Sequence, residues 1–444
     1  MSEQGVRWTA EQVLALAPDA ASRKAGSKLG TAGPWSGAGC SGTGAVWGLC
    51  KGSGSKPYQT VVDITGPAYK CSCPSRKFPC KHALGLLLLW AGGDEAVPAA
   101  QDAPDWAGEW LAARVARSRP KEERNARQAD PEAARRRAAN RLARVTAGAE
   151  ELEQRLADLV RGGLASADQG GYGLWEETAR RMVDAQAPGL AGRVRELGAI
   201  PGSGPGWPVR LLEESALTHL LDRAWLGIER LPEPLAATVR TRVGLPAAVT
   251  GPAIRDRWLV LAQYDTSDGR LTTRRIWLYG HGTGRTALLL SFGAAGRAPQ
   301  LALPVGVVID AEVTPHPGAG QLRADLGSQF AAPVPADAPP PGGTVGDALT
   351  AYGLALRHDP WLESWPVTLR DVVPVPTAGG WQLADADGGE ALPVVAAALG
   401  RPGLWRLAAV SGGAPVTVFG ECGHRGFTPL AAWSAETPDT IPLT

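Results

Sequence analysis

Residues 71–82 read Cys71-Ser72-Cys73-Pro74-Ser75-Arg76-Lys77-Phe78-Pro79-Cys80-Lys81-His82, that is C-x-C, six residues, then C-x-H. Three thiolates and an imidazole form a closed tetrahedral set for Zn²⁺, which takes soft sulfur and borderline nitrogen ligands at about 2.0–2.3 Å. Four clustered ligand-type residues with no metal would be costly and prone to oxidation in a surface loop. A catalytic zinc is disfavoured, because four protein ligands leave no open position for water.

The flanks say how such a site would be built. Ala45–Cys50 and Gln59–Ile64 are rich in Val and alternate like strands, and Gly52-Ser53-Gly54-Ser55-Lys56-Pro57 between them reads as a hairpin turn. The run His82–Trp90 is a compact apolar helix stopped by Gly92 and Gly93. Cys71 and Cys73 are then expected to leave the second hairpin strand through a tight turn, with Cys80 and His82 at the first turn of the helix, so that one ion ties hairpin to helix.

This pattern resembles the SWIM zinc finger, a ββα module with the signature C-x-C-x(n)-C-x-H, every ligand position of which is filled by Cys71, Cys73, Cys80 and His82. Trp47-Gly48, Gly52-Ser53-Gly54 and Lys56-Pro57-Tyr58 extend the likeness to bacterial SWIM-containing proteins over about residues 35–92. The resemblance implies a structural Zn²⁺ and a module that binds DNA or mediates protein contacts.

Charge adds a local argument. The whole chain is balanced, with 45 basic and 44 acidic residues, so attraction to nucleic acid must come from a patch. From Arg23 to Trp90 nine basic residues face one acid, Asp63, for a net +8. Lys51, Lys56, Lys70, Arg76, Lys77 and Lys81 lie among the cysteines with Trp35, Trp47, Tyr58, Tyr69 and Phe78 interleaved, the pattern of a phosphate-contacting surface with stacking rings. The plainer reading is a solvated surface over core aromatics, and a basic finger also suits an acidic protein. A second basic run, Arg114–Arg144, is read first as a solvated helix face.

The rest of the 444 residues suggests an α+β multidomain chain. Residues 1–34 read as an N-terminal extension, 35–92 as the finger and 106–242 as a helical region, in which Leu142, Val145, Leu152, Leu156, Leu159 and Val160 make one stripe. Pro131, Pro188 and Pro208 fall at helix ends, and four or five helices are expected. Residues 245–330 are β-rich, 331–343 form a Pro-rich linker, and 344–444 are α+β, opening with a helix over Thr344–Arg357 and including strands at Trp405–Val410 and Pro415–Phe419.

The remaining motifs are weak. Cys422-Gly-His424 with Cys40 and Cys50 would need four residues to converge from opposite ends of the chain to make a second metal site. Gly280–Thr286 lacks the Lys and spacing of a phosphate loop and reads as a hairpin turn. No catalytic motif is visible, and no enzyme is expected. Ala83–Gly93 is too short to cross a bilayer and the polar start lacks a signal-peptide core, so a cytoplasmic protein is expected whose partners are DNA or RNA, or other proteins, and not a membrane.

Overall fold

A computed structural model of the chain describes residues 7–444 except 18–19, 43, 53, 65–67, 76–78, 94, 101, 119–130, 165–166, 168–170, 246–250, 268–270, 295–298, 300, 319, 321, 332, 400–401 and 437. The first unit is an antiparallel sheet of β1 (Trp35–Cys40), β2 (Ala45–Cys50), β3 (Tyr58–Asp63) and β4 (Ala68–Cys71), in that order, followed by α3 (Lys81–Ala91). The hairpin read from the sequence is β2–β3, with Cys50 opposite Tyr58. Two further strands flank it, so the ββα unit sits in a larger sheet. The C-x-C pair leaves β4 rather than the second hairpin strand.

Alternation along β2 and β3 sorts their side chains between two helices. Val46 and Val62 pack with the apolar side of α3, while Ala45, Trp47 and Val61 pack with Ala107 of α4 (Asp105–Ser118) on the other face. The Arg114 guanidinium donates to Asp63 at 2.8 Å and clamps α4 to β3. The helical region opening at residue 106 therefore starts with a helix that covers the finger. Likewise the first 34 residues are not a mere extension: α1 (Ala10–Ala15) and α2 (Ala20–Ser27) lie on α3, with Trp8, Val13 and Leu16 in its core. The α2–α3 crossing needs small residues, because a Cβ on Gly26 would lie 2.7 Å from Leu84 and one on Gly85 would lie 2.5 Å from Leu29.

Among the described residues five α-helices follow: α5 (Pro131–Gly162), α6 (Gly171–Asp184), α7 (Pro188–Ala199), α8 (Trp207–Leu226) and α9 (Glu233–Val243). Pro131 and Pro188 open helices and Pro208 lies in the first turn of α8, where a missing N–H costs nothing. Val145, Leu152 and Leu156 are buried, as their stripe requires, whereas Leu142 and Val160 at its ends are about half exposed.

The β-rich part starts with a barrel. Strands β5 (Ile254–Ser267), β6 (Leu271–Gly280), β7 (Thr286–Ala294), β8 (Val307–Pro315) and β9 (Arg323–Gln329) pair in the order β8-β5-β6-β7-β9, and β9 pairs back to β8. Closure removes the sheet edges and fills the interior with Trp258, Ile276, Leu289 and Ile309. Residues 280–286 are the β6–β7 turn, as expected, held by Asp256, whose carboxylate accepts from the Gly282 and Thr283 amides.

Residues 331–343 are not a free linker: Val334–Pro335 form β10 against β8, and the Gly343 amide donates to Thr368 at 3.0 Å. After α10 (Val345–Leu356), a second sheet holds β11 (Ser364–Thr377), β12 (Gly380–Asp385), β13 (Ala391–Pro393), β14 (Val416–Gly423), β15 (Gly426–Trp433) and β16 (Ile441–Pro442), in the order β13-β12-β11-β14-β15-β16. Its Phe419, Leu430 and Trp433 pack on the barrel wall at Leu259, Leu261 and Trp277. Between β13 and β14 lie α11 (Ala396–Leu399) and α12 (Pro402–Ser411), so the strand expected at Trp405–Val410 is a helix. Pro402 starts it, and Leu404, Leu407 and Ser411 are buried at helical spacing while Trp405 is 67% exposed.

Candidate metal centre

Cys71 ends β4, Cys73 follows in the turn, Cys80 is the N-cap of α3 and His82 sits in its first turn. Local sequence explains the placement. Pro74 and Pro79 bracket the loop and prevent either flank from extending, and Cys80, in extended backbone, turns the chain into the helix. The four donor atoms, Sγ of three cysteines and one imidazole nitrogen, lie within 4.8 Å of one another. His82 Nδ1 is 3.7 Å from Cys71 Sγ. That cluster is the sole such group of ligand residues among the described residues.

Proton chemistry fits a cation at the centre. Hydrogen bonds from the Cys71 and Cys80 thiols hold the Cys73 thiol well below its ordinary range, while bonds to Cys71 and Cys73, with burial, push the Cys80 thiol up. Burial would lower His82, but its bonds to Cys71 and Cys73 outweigh it and raise the imidazole to about 9. Protons thus stand in for a positive ion among four crowded donors, and Zn²⁺ would displace them. Thr60, fully buried on β3, places its hydroxyl 3.2 Å from Cys71 Sγ, where it can donate to a thiolate. The Tyr58 ring covers the imidazole, with centroids 4.7 Å apart. Sequence reading missed both supports, since only strand register puts Thr60 opposite Cys71.

The lysines separate into groups. Lys51 and Lys81 are exposed and line one groove of about 600 Å³ beside Cys73, His82 and Tyr58, whose far wall is Ala21, Ala25 and Leu29. Lys56 is exposed in the β2–β3 turn. Lys70 is also exposed but lies opposite Val61, on the α4 side of the sheet, away from the metal ligands. Arg76 and Lys77 fall outside the described residues, as does Phe78. Lys24 and Lys28 are exposed on and just beyond α2, the helix that gives Ala21 and Ala25 to the groove, and were not among the expected contact residues. In the second basic run, Arg114 is engaged by Asp63, and Arg136 pairs with Glu132 at 2.7 Å on an exposed helix face.

Other thiols stay apart. Cys50 is buried beside the cluster without joining it, Cys40 is buried at the end of β1, and Cys422 is buried in the second sheet with Trp365 as its strand partner. His424 lies 3.4 Å from the Tyr352 hydroxyl. No second metal site assembles among the described residues.

Comparison with models of known protein families matches residues 61–91 to the SWIM zinc finger and residues 140–243 to the SWIM-associated four-helix bundle domain. The chain therefore carries a zinc-binding SWIM finger followed by its associated helical bundle. No curated protein and no solved structure matches it. No helix among the described residues is long and apolar enough to cross a membrane.

Proposed function

We propose that the zinc-ordered finger binds nucleic acid through its phosphates, with Lys51 and Lys81 at the centre of the contact. The observation that carries this is that both line one open groove beside the metal ligands. Lysine is a point-charge donor without the fork that reads guanine bidentately, so sequence preference is weak. The zinc's part is structural rather than catalytic, since its four protein ligands leave it no open position. Unpaired cysteines suit a reducing compartment such as the cytoplasm.

A protein partner is the second reading, favoured by one feature of the bundle. Val209, Leu212 and Leu220 project from α8 at helical spacing and are 62%, 48% and 46% exposed. Titration of labelled duplex and single-stranded DNA into the zinc-loaded full chain at about 50 mM salt separates the readings. Phosphate binding gives similar affinities for unrelated sequences, and Lys51→Ala or Lys81→Ala each shallows the salt slope by about one unit. A flat titration removes the nucleic-acid reading and leaves the protein one.

A further inference from the structure

The longest helix among the described residues outruns the bundle it belongs to. At 1.5 Å per residue α5 is about 48 Å long, yet its inward stripe of Val145, Ala149, Leu152 and Leu156 begins only near its middle. Ahead of that stripe, Arg135 to Arg144 are ten exposed residues in succession, almost three turns on which no side is buried.

The charge of this arm has one sign. Between Glu132 and Glu150 seventeen residues hold five arginines and no acid. Arg136 pairs with Glu132 at 2.7 Å, an exposed contact of small worth, and Arg141 donates to the Gly244 carbonyl at 3.4 Å, where α9 ends. Arg135, Arg137 and Arg144 have no hydrogen bond or ion pair among the described residues. The end of α6 meets α5 at Gly148, where a Cβ would lie 2.6 Å from Ala185, and Asp184 beside it makes no ion pair among the described residues. The bundle therefore leaves the arm's charge uncompensated.

Spacing gathers that charge. Arg136, Arg137, Asn140, Arg141 and Arg144 stand at i, i+1, i+4, i+5 and i+8, one face about 140° wide, with Ala138 and Ala139 on the other side. Alanine and arginine favour the helix without packing, so the arm is preformed. A helix about 10–12 Å across enters the B-DNA major groove, about 12 Å wide, whereas the deep, narrow groove of duplex RNA does not admit it.

We infer that this arm docks in the major groove of duplex DNA, with Arg136 and Arg141 on the flanks toward the phosphates and Asn140 in the middle of the face. Asparagine can pair with one adenine edge, so base preference is confined to that position. The contact is separate from the finger's groove and does not rest on it.

Titration of the zinc-loaded full chain with duplex DNA, single-stranded DNA and duplex RNA over a range of salt tests it. Arg137→Gln with Arg144→Gln should weaken duplex DNA at least tenfold at about 50 mM salt and shallow its salt slope by about two units. The RNA duplex and the single strand should lose less. Replacing both arginines by lysine should restore most of the affinity, and thermal melting should be unchanged in either variant. The wild-type chain should protect guanine N7, in the major groove, from dimethyl sulfate, and the glutamine variant should not. Lys51→Ala with Lys81→Ala should leave that protection in place, so the finger's contact and the arm's fail separately. Wild-type duplex binding by the folded glutamine variant, or an equal loss on all three nucleic acids, overturns the proposal. Polyglutamate that displaces the duplex by using the same two arginines would mark an acidic protein as the partner and overturn it as well.

Discussion

The finger and the helical bundle are held together by different physics. In the finger, two short segments without a large apolar surface of their own, the turn after β4 and the first turn of α3, converge on four polar donors that a cation must fill. In the bundle, α5 to α9 bury Leu152, Met182, Leu190, Leu211 and Val239 against one another, and no ligand is required. Metal binding adds folding energy to the first, which also has an apolar core around Val46, Val62, Leu84 and Leu87, whereas apolar area alone holds the second. The difference teaches that loss of zinc and loss of packing should fail in different places within one chain.

The largest effect expected is at the ligands. Structural zinc contributes about 10–16 kcal/mol of apparent binding energy in isolated fingers, so Cys80→Ser or His82→Ala should abolish retention of the single ion and expose residues 45–92 to hydrogen exchange. Amides of α5–α9 should remain protected. Zinc affinity in the wild-type chain should also fall as pH drops below about 9, because the metal must displace the proton that the thiols keep on His82. Exchange that spreads through the bundle in either variant would break the comparison.

A smaller effect belongs to the plug between the bundle and the second sheet. Trp361 is 4% exposed, joins the bundle core and donates its indole N–H to the Leu217 carbonyl at 2.9 Å. Trp361→Ala should cost about 3–5 kcal/mol in denaturant unfolding, with zinc content unchanged. An equal loss of zinc would show the two regions to be one cooperative unit.

The smallest effect reverses sign. Asp222 on α8 is fully buried, both carboxylate oxygens lack a hydrogen-bond partner, and burial followed by nearby Glu153 raises it to about 7. An acid raised in the fold carries no penalty below its unfolded value of about 4, a growing penalty from there to about 7, and the full penalty above. Asp222→Asn should therefore stabilise the bundle by about 1–3 kcal/mol at pH 8 and not at pH 4, as melts at the two values would show. Stabilisation that is equal at both would mean that the carboxyl titrates alike in the folded and unfolded chain, and that its burial does not disfavour the charge.

The four ligands were legible because thiol and imidazole spacing is itself the chemistry. What closes around them was not. The face of α4 that meets Trp47 and Val61 looks like any amphipathic face, and helical periodicity gives a stripe without naming what it packs on. The strands β1 and β4 are short and carry Gly and Lys, so β-propensity passes over them, and their pairing is a tertiary fact. At Trp405–Val410 a six-residue apolar run was read as a strand, although Pro402 ahead of it was the better signal. Barrel closure rests on β9 pairing with both β7 and β8, which no local pattern announces.

Trp361 carries a further consequence, in time. Its acceptor Leu217 precedes it by 144 residues. A ribosome adding about 5–20 residues per second makes Leu217 on the order of ten seconds before the indole that covers it. Through that interval the helices can collapse on one another while one apolar face of the bundle stays open to whatever binds nascent chains.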